Sequence, residues 1–504
     1  MEVLSLLGQG FAVALQPINI LLVFAGALVG TIIGMLPGVG PINAIAILIP
    51  ITFALGLPAE SSIILFAGIY YGSQYGNSIS SILLNVPGTA SSVVTTFDGY
   101  PMAQQGRAGP ALAMSAIASF FGGTLSIFFL IFFAPLLSKL AIKFGPAEYF
   151  VLMIFAFTAL SSLTEGNTLK ALASALFGLM LATVGLEPQG TTVRFTFGQL
   201  KLYDGLDFVV LVIGFYAVSE VLNILSETQV GGEVRKLTGR VMISLKELTS
   251  SLWVMLRSSI SGFIIGVMPG AGATIATFIA YSTEKQIVDR NNTFGKGDIR
   301  GVAAPESANN SAAVGAFIPM LSLGVPGSGT TAVILATLLS YGITPGPLLM
   351  QNNPDIFWGL AASMYVGNFM LLILNLPFVG LFARILLVPR WVLMPIVATL
   401  SFVGVYSVNN SAFDILLMTA FGFLGLIMRK TGFPLAPVIL GLVLGELMEV
   451  NLRRALNYSN GDWSTFFQGP IVIILWVLTL ASLLLPLALR RLTKRAKPGK
   501  LQGE

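Results

Sequence analysis

Residues 35–40 read MLPGVG and residues 267–272 read VMPGAG, and each string sets a proline and two glycines inside an apolar segment. Proline lacks an N–H and clashes with the preceding turn, while glycine turns freely, so a helix stops there. A stopped helix leaves carbonyls at one end and N–H groups at the next helix start. The N–H end suits an anion and the carbonyl end suits a cation such as Na⁺. A second pair of breaks follows: NVPGTASS at 85–92 and GVPGSGTT at 324–331. The hydroxyls after each Pro-Gly read as caps that open a new half-helix.

The candidate binding residues are those at the breaks and beside them. In the first half they are Pro37, Gly38, Gly40 and Asn43, then Asn85, Gly88, Thr89 and Ser91. In the second half they are Pro269, Gly270, Gly272 and Thr274, with Gly327, Ser328 and Thr330 at the later break. Asn309 and Asn310 join them from ESANNSAA (306–313). That stretch and YYGSQYGNSISS (70–81) precede the later break of their halves and could line the same cavity or serve as interhelical hydrogen bonding.

No Lys or Arg lies between Met1 and Gln105 or between Gly301 and Ala383. A multiply charged carboxylate held there could not be neutralised by basic side chains, and two helix ends, worth roughly 0.3–2 kcal/mol each, offset only part of its desolvation. Co-transported Na⁺ is expected to supply the rest, bound by carbonyl, hydroxyl and amide oxygens near Gly38, Asn85, Gly270 and Gly327. Asp98 and Glu306 are alternative proton carriers, or caps near span ends.

The elements that must position these residues follow from composition. The 504 residues are 55% hydrophobic and 10% charged, and the mean hydropathy is +0.86. Such a chain is an all-α polytopic membrane protein, with enough stretches of about 20 apolar residues for ten to twelve spans. Segments such as ILLVFAGALVG are apolar on every face, which excludes a β-barrel. The N-terminus lacks a signal-peptide pattern, so a first span at 17–36 is expected to be retained. The absence of Cys and His removes thiolate and imidazole chemistry and the usual zinc ligands.

GTIIGMLPGVGPINA (30–44) and GFIIGVMPGAGATIA (262–276) agree at 8 of 15 positions with an offset of 232; the later breaks are offset by 239. The chain reads as two repeats, expected to be inverted, each with broken or re-entrant helices. The repeat halves run 1–228 and 258–489, joined by a basic connector at 229–257 and followed by a basic tail at 490–504. Glycines at 26, 30, 34 and 38, at 68, 72 and 76, and at 262, 266 and 270 read first as helix-packing ladders. Corresponding breaks in two halves point to a transport site near the bilayer midplane.

Basic residues cluster at 235–257, 285–300 and 490–500, which places those segments in the cytoplasm. The tail RRLTKRAKPGK reads as a topology anchor on the lipid bilayer, not as a nucleic-acid site. The segment 252–281 lies between two basic loops, which suits a re-entrant hairpin with PGAG at its tip; a single broken spanning helix is the alternative.

GTIIGMLPGVGPINAIAILIP, the run from GNSISSILLNVPGTASS through FDGYPMAQQGRAGPAL, and PGAGATIA, PESANNSA and PMLSLGVPGSGTTAVIL together closely resemble the large membrane subunit of the bacterial tripartite tricarboxylate transporters, the TctA family. The similarity covers nearly the whole chain. It implies a secondary transporter of the bacterial inner membrane. Its partners would be a small membrane subunit and a periplasmic solute-binding protein that delivers a carboxylate. Uptake would be driven by an ion gradient, with no cofactor, and by analogy an elevator-like movement of the two-repeat core. An anion channel without ion coupling is the rival reading. An enzyme is not expected: Asp204 and Asp207 in YDGLD read as turn residues, and no Lys accompanies the polar serines.

Overall fold

Pro17 opens the first span, at the helix position where its missing N–H costs nothing, and the helix runs to Met35. The computed structural model describes residues 2–36, 39–163, 167–188, 190–226, 241–270, 272–386 and 393–495. Pro37 and Gly38, residues 229–240 of the basic connector and 496–504 of the tail lie outside these.

Among the described residues the secondary structure is helical except for two strands of two residues. Pro17–Met35, Ala108–Ala141, Phe208–Ser226, Leu245–Val267, Pro354–Asn375 and Ala412–Lys430 are each long and apolar enough to cross a bilayer. Other apolar helices, among them Pro41–Ala54 and Gly329–Ser340, have only 10–17 residues. Both of these start at a break. The protein is an all-α polytopic membrane protein.

The chain forms two compact units, each assembled from two separate segments of the sequence. Residues 1–142 and 206–431 make the first. Its centre is a pair of buried polar helices: the first polar helix, Ala59–Leu84, and the second, Ile299–Gly315. The glycine ladders pack these against their neighbours. Gly30 and Gly34 sit on the backbone of Ile69 and Ser73, and Gly262 and Gly266 sit likewise on Ala308 and Ala312; a Cβ at any of the four would strike the facing carbonyl. Gly30 to Gly262 is a step of 232 and Ile69 to Ala308 a step of 239, the offsets found between the breaks. The duplication therefore extends from the motif to the helix packing it serves.

Arg257 and Glu284 pair through two hydrogen bonds, Nε to Oε1 at 2.8 Å and Nη2 to Oε2 at 2.6 Å. They lie on helices Leu245–Val267 and Gly272–Val288, well back from the intervening break on either side. The pair can form only if the chain doubles back between Val267 and Gly272, so the segment is a helical hairpin. The helix Leu245–Val267 starts under a capping box of Ser244 and Glu247, which puts Lys246 and Arg257 on the helix. Asp207 caps the helix that begins at Phe208, its Oδ1 accepting from the N–H groups of Val209 and Val210 at 2.8 and 3.1 Å.

The second unit comprises 143–205 and 432–504. Gly178 and Gly441 let helices Thr168–Ala182 and Ala436–Tyr458 approach closely. Strands Gly185–Leu186 and Val193–Arg194 pair antiparallel, Gly185 opposite Arg194. Arg194 then grips Glu449 bidentately, Nη1 to Oε1 at 2.8 Å and Nη2 to Oε2 at 3.0 Å.

Candidate functional site

Both later breaks have one geometry. The first polar helix ends at Asn85 in the left-handed region (φ 57°, ψ 27°), and the helix before the second-half break ends at Gly324 in the same region (φ 69°, ψ 21°). An extended N-cap follows, Thr89 (φ −135°, ψ 163°) or Ser328 (φ −153°, ψ 168°). In each case the N-cap N–H donates to a hydroxyl three residues on: Thr89 to Ser92 at 3.4 Å and Ser328 to Thr331 at 2.8 Å. The earlier breaks match where they can be compared. Leu36 (φ −87°, ψ 108°) and Met268 (φ −75°, ψ 118°) end their helices alike, donating to the Ile33 and Ile265 carbonyls at 3.1 Å. Gly40 caps the helix that starts at Pro41, and Gly270 and Gly272 take φ of 83° and 60°, which only glycine adopts cheaply.

The breaks of each half meet. Gly270 N–H donates to the Gly327 carbonyl at 3.0 Å, and Gly88 packs on the Gly34 carbonyl. Pro269 and Pro326 are buried at these junctions.

The polar helices then join the halves. Asn77 Nδ2 donates to Thr89 Oγ1 at 2.7 Å and to Gln74 Oε1 at 3.2 Å. Ser91 donates to Gln74 Oε1 at 3.3 Å. From the second half, Asn309 Nδ2 reaches the Gln74 carbonyl at 3.3 Å. One turn earlier on the first polar helix, Tyr70 Oη lies 3.4 Å from Ser328 Oγ and its ring is 5.9 Å from that of Phe317. A single helix face thus carries Tyr70 at one break and Gln74 and Asn77 at the other.

Within this seam the amide oxygens of Asn77, Asn309 and Asn310 are buried without a hydrogen-bond partner among the described residues, as is that of Asn43 on the helix Pro41–Ala54. Orphaned acceptors of this kind suit a cation or the donors of a ligand. The structure therefore brings together Gly88, Thr89, Ser91, Asn309, Gly270, Gly327 and Ser328. Asn85 is exposed and acts as a helix C-cap. Gly40, Gly272 and Thr274 are half-buried; Thr330 is buried in the first turn of its helix. Tyr70, Gln74 and Asn77 are the added members. Their signal was the polar run 70–81 inside an apolar context, but not their partners.

The two acids separate sharply. Asp98 is fully buried and accepts from Tyr281 Oη at 2.8 Å and from the N–H groups of Gly295, Gly297 and Asp298 at 2.8–3.0 Å. It is the clasp that holds the 289–298 loop. Glu306 is equally buried, on the second polar helix, and meets hydroxyls of the first half.

A multipass bundle with duplicated helix breaks that converge on hydroxyl and amide groups defines a membrane transport protein. The comparisons identify which kind. The chain belongs to the tripartite tricarboxylate transporter TctA family, whose profile matches residues 20–440. It is 42% identical over 500 residues to an uncharacterized 52.8 kDa protein in the TAR-I ttuC' 3' region of Agrobacterium vitis, with 99% of each chain covered. It is also 43% identical over 226 residues to an uncharacterized protein in the TAR-II ttuC' 3' region of the same organism, covering 45% of this chain and 93% of that one. No solved structure matches it.

Proposed function

We propose that this chain is the large subunit of a secondary transporter in the bacterial inner membrane, importing a small di- or tricarboxylate handed over by a periplasmic solute-binding protein. A small membrane subunit completes the assembly. The observation that carries this reading is the polar seam between the halves, where Tyr70 of one reaches the Ser328 cap of the other. Half-helix starts at Thr89 and Ser328 offer N–H dipoles to a carboxylate. Desolvating a multiple anion costs several kcal/mol per charge, more than those dipoles return, so a co-transported cation completes the balance. The unpartnered amide oxygens of Asn77 and Asn309 are acceptors on which Na⁺ coupling can draw; proton coupling is the other way to the same neutralisation. Alternating access would come from an elevator-like movement of the two-repeat core.

The test is uptake of labelled carboxylates into vesicles holding this chain with its small subunit and binding protein, with and without an imposed Na⁺ or H⁺ gradient. Gradient-dependent accumulation that requires the binding protein is expected. Flux that ignores both refutes coupled import and leaves a channel.

A further inference from the structure

Glu306 sits mid-way along the second polar helix, shut off from solvent. Thr95 Oγ1 donates to its Oε1 at 2.5 Å and Ser119 Oγ to its Oε2 at 3.3 Å. Among the described residues no Lys or Arg forms an ion pair with it. On the helices packed against it, Tyr71 Oη of the first polar helix is buried without a hydrogen-bond partner among the described residues, while several charged and titratable groups hold other partners. Tyr75 on the first polar helix donates to Asn368 Oδ1 at 2.5 Å; Asp98 holds Tyr281 and the 295–298 backbone; Arg257 and Glu284 hold each other.

The contrast with Asp98 is chemical. Three of its four donor groups are backbone N–H groups, which never accept, so its oxygens act there only as acceptors. Thr95 and Ser119 are hydroxyls, and a hydroxyl can donate to a carboxylate or turn and accept from a protonated carboxyl. The Glu306 pocket is therefore satisfied in either protonation state, whereas a buried charge without a cation is costly. Its position matters too. Glu306 belongs to the second half and Thr95 and Ser119 to the first, and Asn309 and Asn310, with unpartnered amide oxygens, lie one turn along the same helix.

We propose that Glu306 is a proton-binding site between the two halves, taking up a proton to become a neutral carboxyl and releasing it as the halves rearrange. As a coupling site it rests on the reading of the chain as an ion-coupled transporter; as a titrating group it does not.

The experiment is infrared difference spectroscopy of the full chain in lipid across a pH titration through neutrality, followed by uptake in the same vesicles. The wild type is expected to show a protonated-carboxyl C=O band that grows as pH falls. Glu306→Gln should remove the band, and Thr95→Val, which leaves the carboxyl but deletes one of its hydroxyl partners, should shift its frequency. Uptake by Glu306→Gln should lose the pH dependence that the wild type shows. A wild-type band unaffected by either substitution, or no titrating band at all, overturns the proposal. If the band behaves as expected but wild-type vesicles accumulate no carboxylate under any gradient, Glu306 still binds a proton and the transport reading is what fails.

Discussion

Gly270 donates its backbone N–H to the carbonyl of Gly327 across 3.0 Å, joining two helix breaks that are 57 residues apart in sequence. Both groups would otherwise be orphaned by the interrupted helices, and a low-dielectric surround makes that costly. The bond explains how two Pro-Gly interruptions persist in a buried place.

Gly327→Ala should damage this junction. The added Cβ would lie 2.7 Å from the Ala316 Cα and carbonyl oxygen, a clash relieved only by moving the break. The expected result is a loss of uptake of about tenfold or more, equivalent to 1.4 kcal/mol, at near-normal expression. Pro326→Ala combined with Gly327→Ala should abolish uptake. Wild-type rates in both variants would mean that the break serves packing alone.

Gly34→Ala and Gly266→Ala probe the duplicated helix crossing. Each Cβ would meet a facing carbonyl, of Ser73 and Ala312 respectively. Overpacking of this kind costs roughly 1–3 kcal/mol, and the two variants should lower the thermal unfolding midpoint in detergent by similar amounts. A large effect in one half and none in the other would show that the crossings are not equivalent.

Asp98→Asn should release the 289–298 loop. The amide can no longer accept from all of Gly295, Gly297 and Asp298, and a hydrogen bond to a charged group contributes about 1.5–3 kcal/mol. Hydrogen exchange at those three amides should speed up by about tenfold or more, with little change in the second unit. Unchanged exchange would remove Asp98 as the clasp.

Asp298, outside the spans, titrates in a definite direction. Burial pushes its carboxyl up, but hydrogen bonds from Arg300 and Thr293 outweigh this and hold it below the usual aspartate value. A depressed native pKa stabilises the fold above the unfolded value of about 3.9 and ceases to do so as pH falls through the native value. The difference in melting temperature between wild type and Asp298→Asn should therefore be full at neutral pH and shrink below about pH 4. A difference that grows on acidification would contradict the assignment.

Much of this protein was legible before any coordinates. The all-α bundle follows from the length of apolar runs, because a bilayer of fixed thickness leaves no other use for them. The breaks follow from Pro and Gly, whose effect on a helix is local chemistry. The duplication shows as matching strings around Pro37 and Pro269, and the hydroxyl caps at Thr89 and Ser328 sit where the break geometry requires them. What the sequence left open was everything that depends on which helices lie side by side. Asp98 and Glu306 looked alike, yet one clasps a loop of N–H donors while the other faces two hydroxyls. Tyr70 and Ser328 are 258 residues apart, and the choice between a hairpin and a single broken helix rests on the Arg257–Glu284 pair. Local rules act within one or two turns of backbone; partners brought from hundreds of residues away are selected by the packing of the whole bundle, and only the tertiary structure records that choice.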